Sequence, residues 1–168
     1  AKASIQLGHC GNMTHFYTCN CLPVGASTGF NLYSPTLHRA LKKQEIKEIV
    51  KAFGHAVDFC RECGFDCVEI HAGHGYLISQ FLSPYTNRRR DEYGGSLENR
   101  MRFMNEVMAD FMKLEQDRGL PFRHIHATGS YGWEWMPGLV KGKGVDLEGG
   151  SIDMREYIYN MPTLMAAA

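Results

Sequence analysis

The sequence predicts an α/β fold, namely an incomplete TIM-type (β/α) barrel. Short apolar strands alternate with amphipathic helices along the 168 residues. The loops after the strands are long and polar, whereas the loops after the helices are short, which is typical of a barrel whose active site is built from its βα loops. An open doubly wound sheet is the alternative, but it usually carries a glycine-rich phosphate turn after its first strand. The run GHCGN at that point matches such a turn poorly.

The first half of the chain contains two predicted strands and one predicted helix. Residues 3–7 are small and apolar, as in a buried parallel strand, and residues 65–71 form the second such strand. Between them, residues 8–39 have no helical period and are expected to form a long loop. Residues 42–63 predict a helix, because apolar side chains recur every three and four positions. Gly64 follows, as glycine commonly does just past a helix.

The second half continues the alternation. A second irregular stretch, residues 73–95, includes a short predicted helix at 77–82. Ser96 is the predicted N-cap of a helix that runs to about residue 116. The later predicted elements are a strand at 122–127, a glycine-rich loop at 128–144, a helix at 147–160 and the start of a strand at 162–167.

Composition argues against several functional classes. The chain has 18 basic and 18 acidic residues, and this balance leaves no electrostatic footprint for nucleic acid or for an anionic membrane. No run of about 18 apolar residues predicts a transmembrane helix, and no signal-peptide pattern opens the chain. The six cysteines are interpreted as reduced thiols, so a cytoplasmic protein is expected.

The second predicted strand ends in a cluster of polar side chains. Side chains alternate along a strand, so in the run VEIH at residues 68–71 the two apolar residues share one face. That face is expected to contact the helices, which leaves Glu69 and His71 facing the barrel interior. His74 and Tyr76 follow across glycines that allow the chain to turn. We therefore expect two imidazoles and a phenol to converge at the mouth of the barrel.

This cluster has a plausible chemistry. Two neutral histidines can each donate an N–H to a developing oxyanion, and such preorganised donors contribute roughly 10²–10³ each in rate. A tyrosine can act as a general acid, which contributes about 10²–10⁴. The set suits conjugate reduction of an enone, and it suits an enolisation equally well. For any one of these residues, an ordinary polar loop or buried position is the alternative.

Metal binding is the other interpretation of these residues. His71 and His74 have a spacing that can chelate zinc, with Glu69 as the nearest carboxylate. The spacing of Cys60, Cys63 and Cys67 is similar to that of iron–sulfur ligands, but no fourth cysteine follows. Small buried residues under a barrel explain these cysteines better.

A long run of residues resembles a known family. Residues 64–103, GFDCVEIHAGHGYLISQFLSPYTNRRRDEYGGSLENRMRF, strongly resemble the Old Yellow Enzyme and NADH:flavin oxidoreductase family, and the branch containing 2,4-dienoyl-CoA reductase in particular. The run IQLGHCGN near the start resembles the family's QLxHxGR strand. Residues 39–53 resemble the loop and helix that follow it.

The resemblance implies an eight-stranded barrel that binds FMN. NAD(P)H would reduce the flavin, which would pass hydride to the C=C bond of an α,β-unsaturated carbonyl compound. His71 and His74 would bind the substrate carbonyl oxygen, and Tyr76 would protonate the α-carbon. Gln6 would hydrogen-bond the flavin ring, and strand alternation also separates it from Ile5 and Leu7.

The chain departs from the family pattern in three ways. On the fifth barrel strand, alternation makes His124 the inward residue where the family has an arginine, and Arg123 would fit only with a one-residue slip. Asn12 stands where the family has an arginine after its third strand. A complete barrel takes about 250 residues, with its phosphate site in the loops after strands seven and eight. Residues 1–168 are therefore interpreted as one partial FMN-binding barrel domain, roughly strands 3 to 6, without the phosphate site.

The expected partners follow from this interpretation. They are FMN, NAD(P)H and a small enone or enoate, with no nucleic acid or membrane, and a homo-oligomer is compatible with the fold. An iron–sulfur cluster is expected only in a longer parent protein. The alternatives are a non-catalytic barrel remnant, in which Asn12 and His124 mark a lost flavin site, and a metal-binding domain using His71, His74 and cysteines.

A titration tests the incomplete cofactor site. Because an open barrel leaves strand edges with unpaired backbone groups, we expect the purified 168-residue chain to bind FMN weakly or not at all. The measurement is quenching of flavin fluorescence on addition of the protein. Stoichiometric binding by a monomer at micromolar affinity or better would contradict this expectation.

Overall fold

Two parallel strands form the sheet beneath the candidate site. The computed structural model of the chain describes residues 3–118. Strand β1 (Ser4–Leu7) pairs in parallel with β5 (Cys67–Ile70), and the register places Gln6 opposite Glu69. Both predicted strands are confirmed, and each is shorter than predicted. A helix lies between them in the chain, as a parallel connection requires.

The two faces of this sheet differ in character. Val68 and Ile70 are almost completely buried in the core, against which Ile5 also packs. On the opposite face Gln6 is exposed and Glu69 is half-buried. The predicted alternation along the second strand is therefore confirmed, with one apolar face against the helices and one polar face away from them.

Two long helices cover the apolar face. Helix α2 (Lys43–Glu62) packs against α4 (Leu97–Arg118), close to the predicted bounds of both. The buried positions of α2 recur every three or four residues: Ile46, Val50, Phe53, Gly54, Val57 and Cys60. The Lys47 ammonium lies 2.7 Å from the Glu106 carboxylate, so an ion pair joins the solvent side of the two helices. None of the helices described within residues 3–118 is long and apolar enough to cross a membrane.

The side chains of Glu45 and Ser96 accept hydrogen bonds from backbone N–H groups at the starts of α2 and α4. At the start of α2, Glu45 accepts hydrogen bonds from the Lys42 backbone N–H (2.7 Å) and from both terminal nitrogens of Arg39. These bonds, those of Arg39 first, lower the pKa of Glu45 to about 2. At the start of α4, the Ser96 hydroxyl accepts from the Asn99 backbone N–H at 3.3 Å, as predicted for an N-cap.

The prediction of a structureless loop at residues 8–39 is wrong. The segment contains a 3₁₀ turn (Gly11–Met13), helix α1 (Phe16–Cys19), and three short strands: β2 (Val24–Gly25), β3 (Gly29–Asn31) and β4 (Thr36–Ala40). Strand β4 pairs antiparallel with β3 and parallel with β2. Phe30 and Leu37 lie opposite each other and are exposed, whereas the polar His38 is buried. In most strands the buried residues are apolar and the exposed ones polar. Here the order is reversed, so a search for buried apolar residues does not find these strands.

Polar side chains order the segment between the short helix α3 (Leu77–Leu82), which was predicted, and α4. The Arg89 guanidinium donates to the carbonyls of Ala26 (2.9 Å) and Leu41 (2.7 Å). It also forks onto both carboxylate oxygens of Asp91, at 3.0 and 2.6 Å. Asn87 donates to the carbonyls of Phe81 and Tyr93. The segment is held by hydrogen bonds rather than by regular structure.

The predicted elements beyond residue 118 lie outside the described residues. These are the strand at 122–127, the loop at 128–144, the helix at 147–160 and the strand at 162–167. Arg123 and His124 are therefore also outside the described part of the chain.

Substitution of Arg89 tests its structural role. Its side chain is 9% exposed, and Arg89→Ala would leave two carbonyls without their donor and Asp91 without its ion-pair partner. We expect a loss of about 3–5 kcal/mol in the free energy of unfolding, as when a buried charge loses its partner. Urea denaturation measures the loss. The neighbouring Arg90 is exposed, so Arg90→Ala is the matched control, and equal losses in both variants would contradict the assignment.

Candidate active site

The carboxyl ends of β1 and β5 carry the candidate site. The His71 backbone N–H donates to the Leu7 carbonyl at 2.8 Å, which extends the strand pairing by one residue. His71 is 4% exposed, so its ring is almost fully buried where the strand ends. Loops begin after both strands at this edge, as expected for a barrel active site.

A tight turn brings the predicted side chains together. His74 and Gly75 both adopt the left-handed conformation, with φ values of 55° and 72°. The chain folds back so that His74 Nδ1 lies 3.1 Å from His71 Nε2, and the two rings stack with centroids 4.9 Å apart. The Tyr76 ring meets His71 edge-on, with centroids 5.0 Å apart. The prediction that two imidazoles and a phenol lie close together is confirmed.

Burial sets the charge state of His71. Desolvation lowers the pKa of His71; nearby His74 lowers it further, and Glu69 acts in the opposite direction. A neutral imidazole has one N–H donor and one acceptor nitrogen. The 3.1 Å contact therefore requires one ring to donate and the other to accept, so the two rings adopt complementary tautomers. The pair can supply N–H donors to an oxygen atom, and burial favours the uncharged form of His71.

Gln80 holds the turn in place and was missed by the sequence analysis. Its side-chain amide donates to the Gly75 carbonyl at 2.6 Å and to Asn12 Oδ1 at 2.8 Å. Its Oε1 accepts from the Asn12 backbone N–H at 3.3 Å. All six residues of the short helix that carries Gln80 are buried, a fact that the fold reveals and the sequence pattern does not.

Asn12 is also part of this support. It is buried after β1, and its Oδ1 accepts from Asn31 at 3.1 Å in addition to Gln80. Its Nδ2 lies 3.3 Å from His38 Nε2. The position at which the family resemblance expects an arginine therefore holds a neutral amide that joins the loop after β1 to the β3–β4 hairpin.

The polar face below the histidines carries Gln6. Its Nε2 donates to Glu69 Oε1 at 2.6 Å, across the register of the two strands. Gln6 and Glu69 thus occupy the layer beneath His71, on the face away from the helices. Of the predicted site residues, Gln6, His71, His74 and Tyr76 lie at one end of this sheet.

The metal-binding interpretation gains no support from the geometry. Between residues 3 and 118, no group of three or more histidine, cysteine or acidic side chains is arranged to hold a metal ion. Cys60 is buried in the core, whereas Cys63, the C-cap residue of α2, is exposed. His71 contacts His74 and the Tyr76 ring instead.

Acidification tests the neutral state of His71. Because burial lowers the pKa of His71 below its ordinary value of 6.5, the unfolded chain binds more protons than the folded chain as the pH falls below about 6.5. The free energy of unfolding should therefore decrease below that pH. Urea unfolding from pH 7.5 to 5 measures the slope. His71→Gln should give a shallower slope than the parent chain and the matched variant His55→Gln, and an unchanged slope would contradict the prediction.

A glycine substitution tests the contact between the two loops. Gly11 has a φ of 61°, and a Cβ there would lie 2.5 Å from Gln80 Oε1. Gly64 has a φ of 83°, but a Cβ there would meet nothing within 4 Å. Gly64→Ala should cost roughly 1–2 kcal/mol from backbone strain alone. Gly11→Ala should cost about 1–3 kcal/mol more because Gln80 must move. Equal losses in urea unfolding would show that this packing is unimportant.

Comparison with known proteins places the chain among flavin enzymes. The model of the NADH:flavin oxidoreductase / NADH oxidase family matches residues 1–123. A NADPH dehydrogenase of Clostridium acetobutylicum is 49% identical over 109 residues, which cover 64% of this chain and 31% of that protein. A NADPH dehydrogenase of Bacillus cytotoxicus is 40% identical over 108 residues, covering 64% of this chain and 30% of the relative. The chain thus spans about a third of the length of these relatives.

Proteins of known structure give the same result as the sequence relatives. Morphinone reductase in complex with tetrahydroNAD matches 67% of this chain and 36% of its own, with a TM-score of 0.65 and 35% identity. An Old Yellow Enzyme homologue from Zymomonas mobilis matches 64% and 33%, with a TM-score of 0.60 and 35% identity. The fold is therefore that of a segment of an Old Yellow Enzyme-type barrel. Which strands of the barrel the segment covers, and its assignment to the 2,4-dienoyl-CoA reductase branch, stay predictions. The family match over most of the chain settles the assignment: the chain belongs to the NADH:flavin oxidoreductase / NADH oxidase family.

Proposed function

We propose that the chain supplies the substrate side of an FMN-dependent enzyme that reduces the C=C bond of an α,β-unsaturated carbonyl compound. The observation that carries the proposal is the cluster of His71, His74 and Tyr76 at the end of β5. Two imidazole donors next to a phenol suit a reaction in which a carbonyl oxygen gains negative charge and a carbon gains a proton.

The residues on the polar face fit the ring of a flavin. Gln6 is exposed on this face, and a primary amide carries a donor and an acceptor side by side, which matches the alternating polar atoms of such a ring. Gln6 would hold the ring in the layer beneath the histidines. When bound, FMN supplies the hydride, which it obtains from NAD(P)H. Contacts from Arg123 or His124 stay predictions, because both lie outside the described residues.

The histidines would bind and polarise the carbonyl oxygen. In the structure His71 and His74 contact each other at 3.1 Å, so one N–H is used within the pair. A carbonyl oxygen that replaced this contact would accept an N–H from each ring. The lowered pKa of His71 favours its neutral ring near pH 7, and a neutral ring binds the oxygen without protonating it. Preorganised donors of this kind stabilise the developing negative charge on the oxygen.

Tyr76 would provide the proton. Its ring contacts His71 edge-on, with centroids 5.0 Å apart, and is half-buried, so the phenol lies beside the carbonyl-binding pair. After hydride reaches the β-carbon, Tyr76 would donate its proton to the α-carbon. The left-handed turn at His74 and Gly75 lies between the two residues, and beyond it the Tyr76 ring meets His71 edge-on.

A chimeric barrel tests the assigned roles. Residues 3–118 would replace the matching segment of the Clostridium acetobutylicum relative, which is 49% identical over 109 residues. Tyr76→Phe should slow reoxidation of the reduced enzyme by 2-cyclohexenone by about 10²–10⁴-fold. It should leave flavin reduction by NADPH unchanged. Stopped-flow absorbance of the flavin separates the two half-reactions.

A second tyrosine provides the control for Tyr76→Phe. Tyr85 is 61% exposed, so Tyr85→Phe is the matched control and should leave both half-reactions unchanged. Equal loss of both half-reactions in Tyr76→Phe would contradict the role of the phenol. A folded chimera that binds FMN but reduces no enone would instead favour the non-catalytic remnant.

A further inference from the structure

A cleft of about 490 Å³ lies beside the run of arginines at residues 88–90. Three segments line it: residues 27–28 after β2, residues 40–41 at the end of β4, and residues 88–91 between α3 and α4. The cleft is open to solvent, and its volume falls within the range of small-molecule sites, about 300–1,000 Å³. None of its lining residues belongs to the cluster of His71, His74 and Tyr76.

The cleft carries positive charge that its own carboxylate does not neutralise. Asp91 is the one acidic residue among the described residues that line it, and both of its oxygens accept hydrogen bonds from Arg89. That pair is therefore neutral as a unit. Arg88 and Arg90 are exposed, and neither forms an ion pair within residues 3–118. Two guanidinium charges remain at the cleft.

Arg88 is held along one edge of its guanidinium. Its Nε donates to the Tyr85 carbonyl at 3.3 Å, and the guanidinium carbon lies 5.9 Å from the centre of the Tyr85 ring. These contacts leave the two terminal nitrogens without an acceptor in the part of the chain that the structure describes. A guanidinium can donate from two nitrogens at once to the oxygens of a bound anion.

Two hydroxyl groups add further donors to the cleft. Ser27 Oγ accepts from the Arg88 backbone N–H at 2.8 Å, and Thr28 Oγ1 accepts from the Ala40 backbone N–H at 3.0 Å. A hydroxyl carries one O–H donor in addition to its acceptor lone pairs. Among residues 3–118 neither hydroxyl donates to a protein acceptor, so both O–H groups are available to a ligand.

We propose that this cleft binds the phosphate group of a small phosphorylated molecule, with Ser27, Thr28, Arg88 and Arg90 as donors. The available groups are N–H and O–H donors, so they match a ligand that presents acceptor oxygens and negative charge. A phosphate monoester offers three such oxygens and a charge of about −1.5 to −2 at pH 7. A carboxylate offers only two oxygens and a single charge. The volume of the cleft leaves room for the rest of a nucleotide-sized molecule.

The site is independent of the proposed alkene reduction. Its donors lie after β2 and after α3, whereas the histidine pair and Tyr76 lie at the end of β5 and in the turn that follows it. Binding of a phosphate group needs neither flavin nor alkene, so the failure of one proposal leaves the other intact.

Isothermal titration calorimetry of the whole chain at low salt tests the proposal. The probes are inorganic phosphate, AMP and adenosine. Phosphate and AMP should each bind saturably at one site, with AMP at least as tight as phosphate, and adenosine should not bind. The proposal is overturned if neither phosphate nor AMP binds saturably at millimolar concentration. It is also overturned if adenosine binds as tightly as AMP, because the phosphate group would then contribute nothing.

Substitutions at the cleft locate the bound phosphate. Arg88→Gln and Arg90→Gln should each weaken AMP binding about tenfold, the effect of losing one hydrogen bond between charged groups. Arg90→Lys keeps the charge and should retain most of the affinity. Lys51→Gln is the matched control, because Lys51 is exposed on α2, forms no ion pair within residues 3–118 and carries the same charge. Equal weakening in Lys51→Gln would show that only net charge matters and would overturn the site, and circular dichroism checks that each variant is folded.

Discussion

The side-chain amide of Gln80 joins the two loops that build the candidate site. It is 2% exposed, and it donates to the Gly75 carbonyl in the turn after β5 and to Asn12 in the loop after β1. A buried amide without partners costs roughly 1–3 kcal/mol, so these bonds are needed for Gln80 to lie there at all. The turn that holds His74 and Tyr76 in place therefore depends on the loop after the other strand. From Asn12 the same network continues to Asn31 and to the β3–β4 hairpin.

This network explains why a short sheet can carry an ordered site. The left-handed turn at His74 and Gly75 places a non-glycine residue in a strained backbone conformation, which persists only where the surroundings hold it. Gln80 provides this restraint through the Gly75 carbonyl. The buried apolar helix faces fix α3, on which Gln80 lies, so the packing of the core is coupled to the position of the imidazoles.

Some of this arrangement could be predicted from the sequence and some could not. Strand alternation alone separated Glu69 and His71 from the apolar residues, and the three-and-four spacing located α2 and α4, because both signals are local. Strands β3 and β4 were missed because their exposed residues, Phe30 and Leu37, are apolar and their buried residues, Asn31 and His38, are polar. Gln80 was missed because its partners are 5 and 68 positions away in the chain, and a pattern within one helix does not reveal them. The inward residue at 123 or 124 lies outside the described part of the chain.

The two sides of the proposed site differ in how much of the chain they need. The residues of the substrate side lie within residues 71–80, and the turn that positions them is anchored through Gln80 to Asn12 in the loop after β1. The cofactor side depends on the polar face of β1 and β5, where Gln6 and Glu69 bond to each other. Within residues 3–118, these two strands pair only with one another, and each keeps an edge unpaired. Because a barrel closes only when every strand has two neighbours, the cofactor side requires long-range pairing. The proposed substrate side therefore needs less long-range structure than the proposed flavin site.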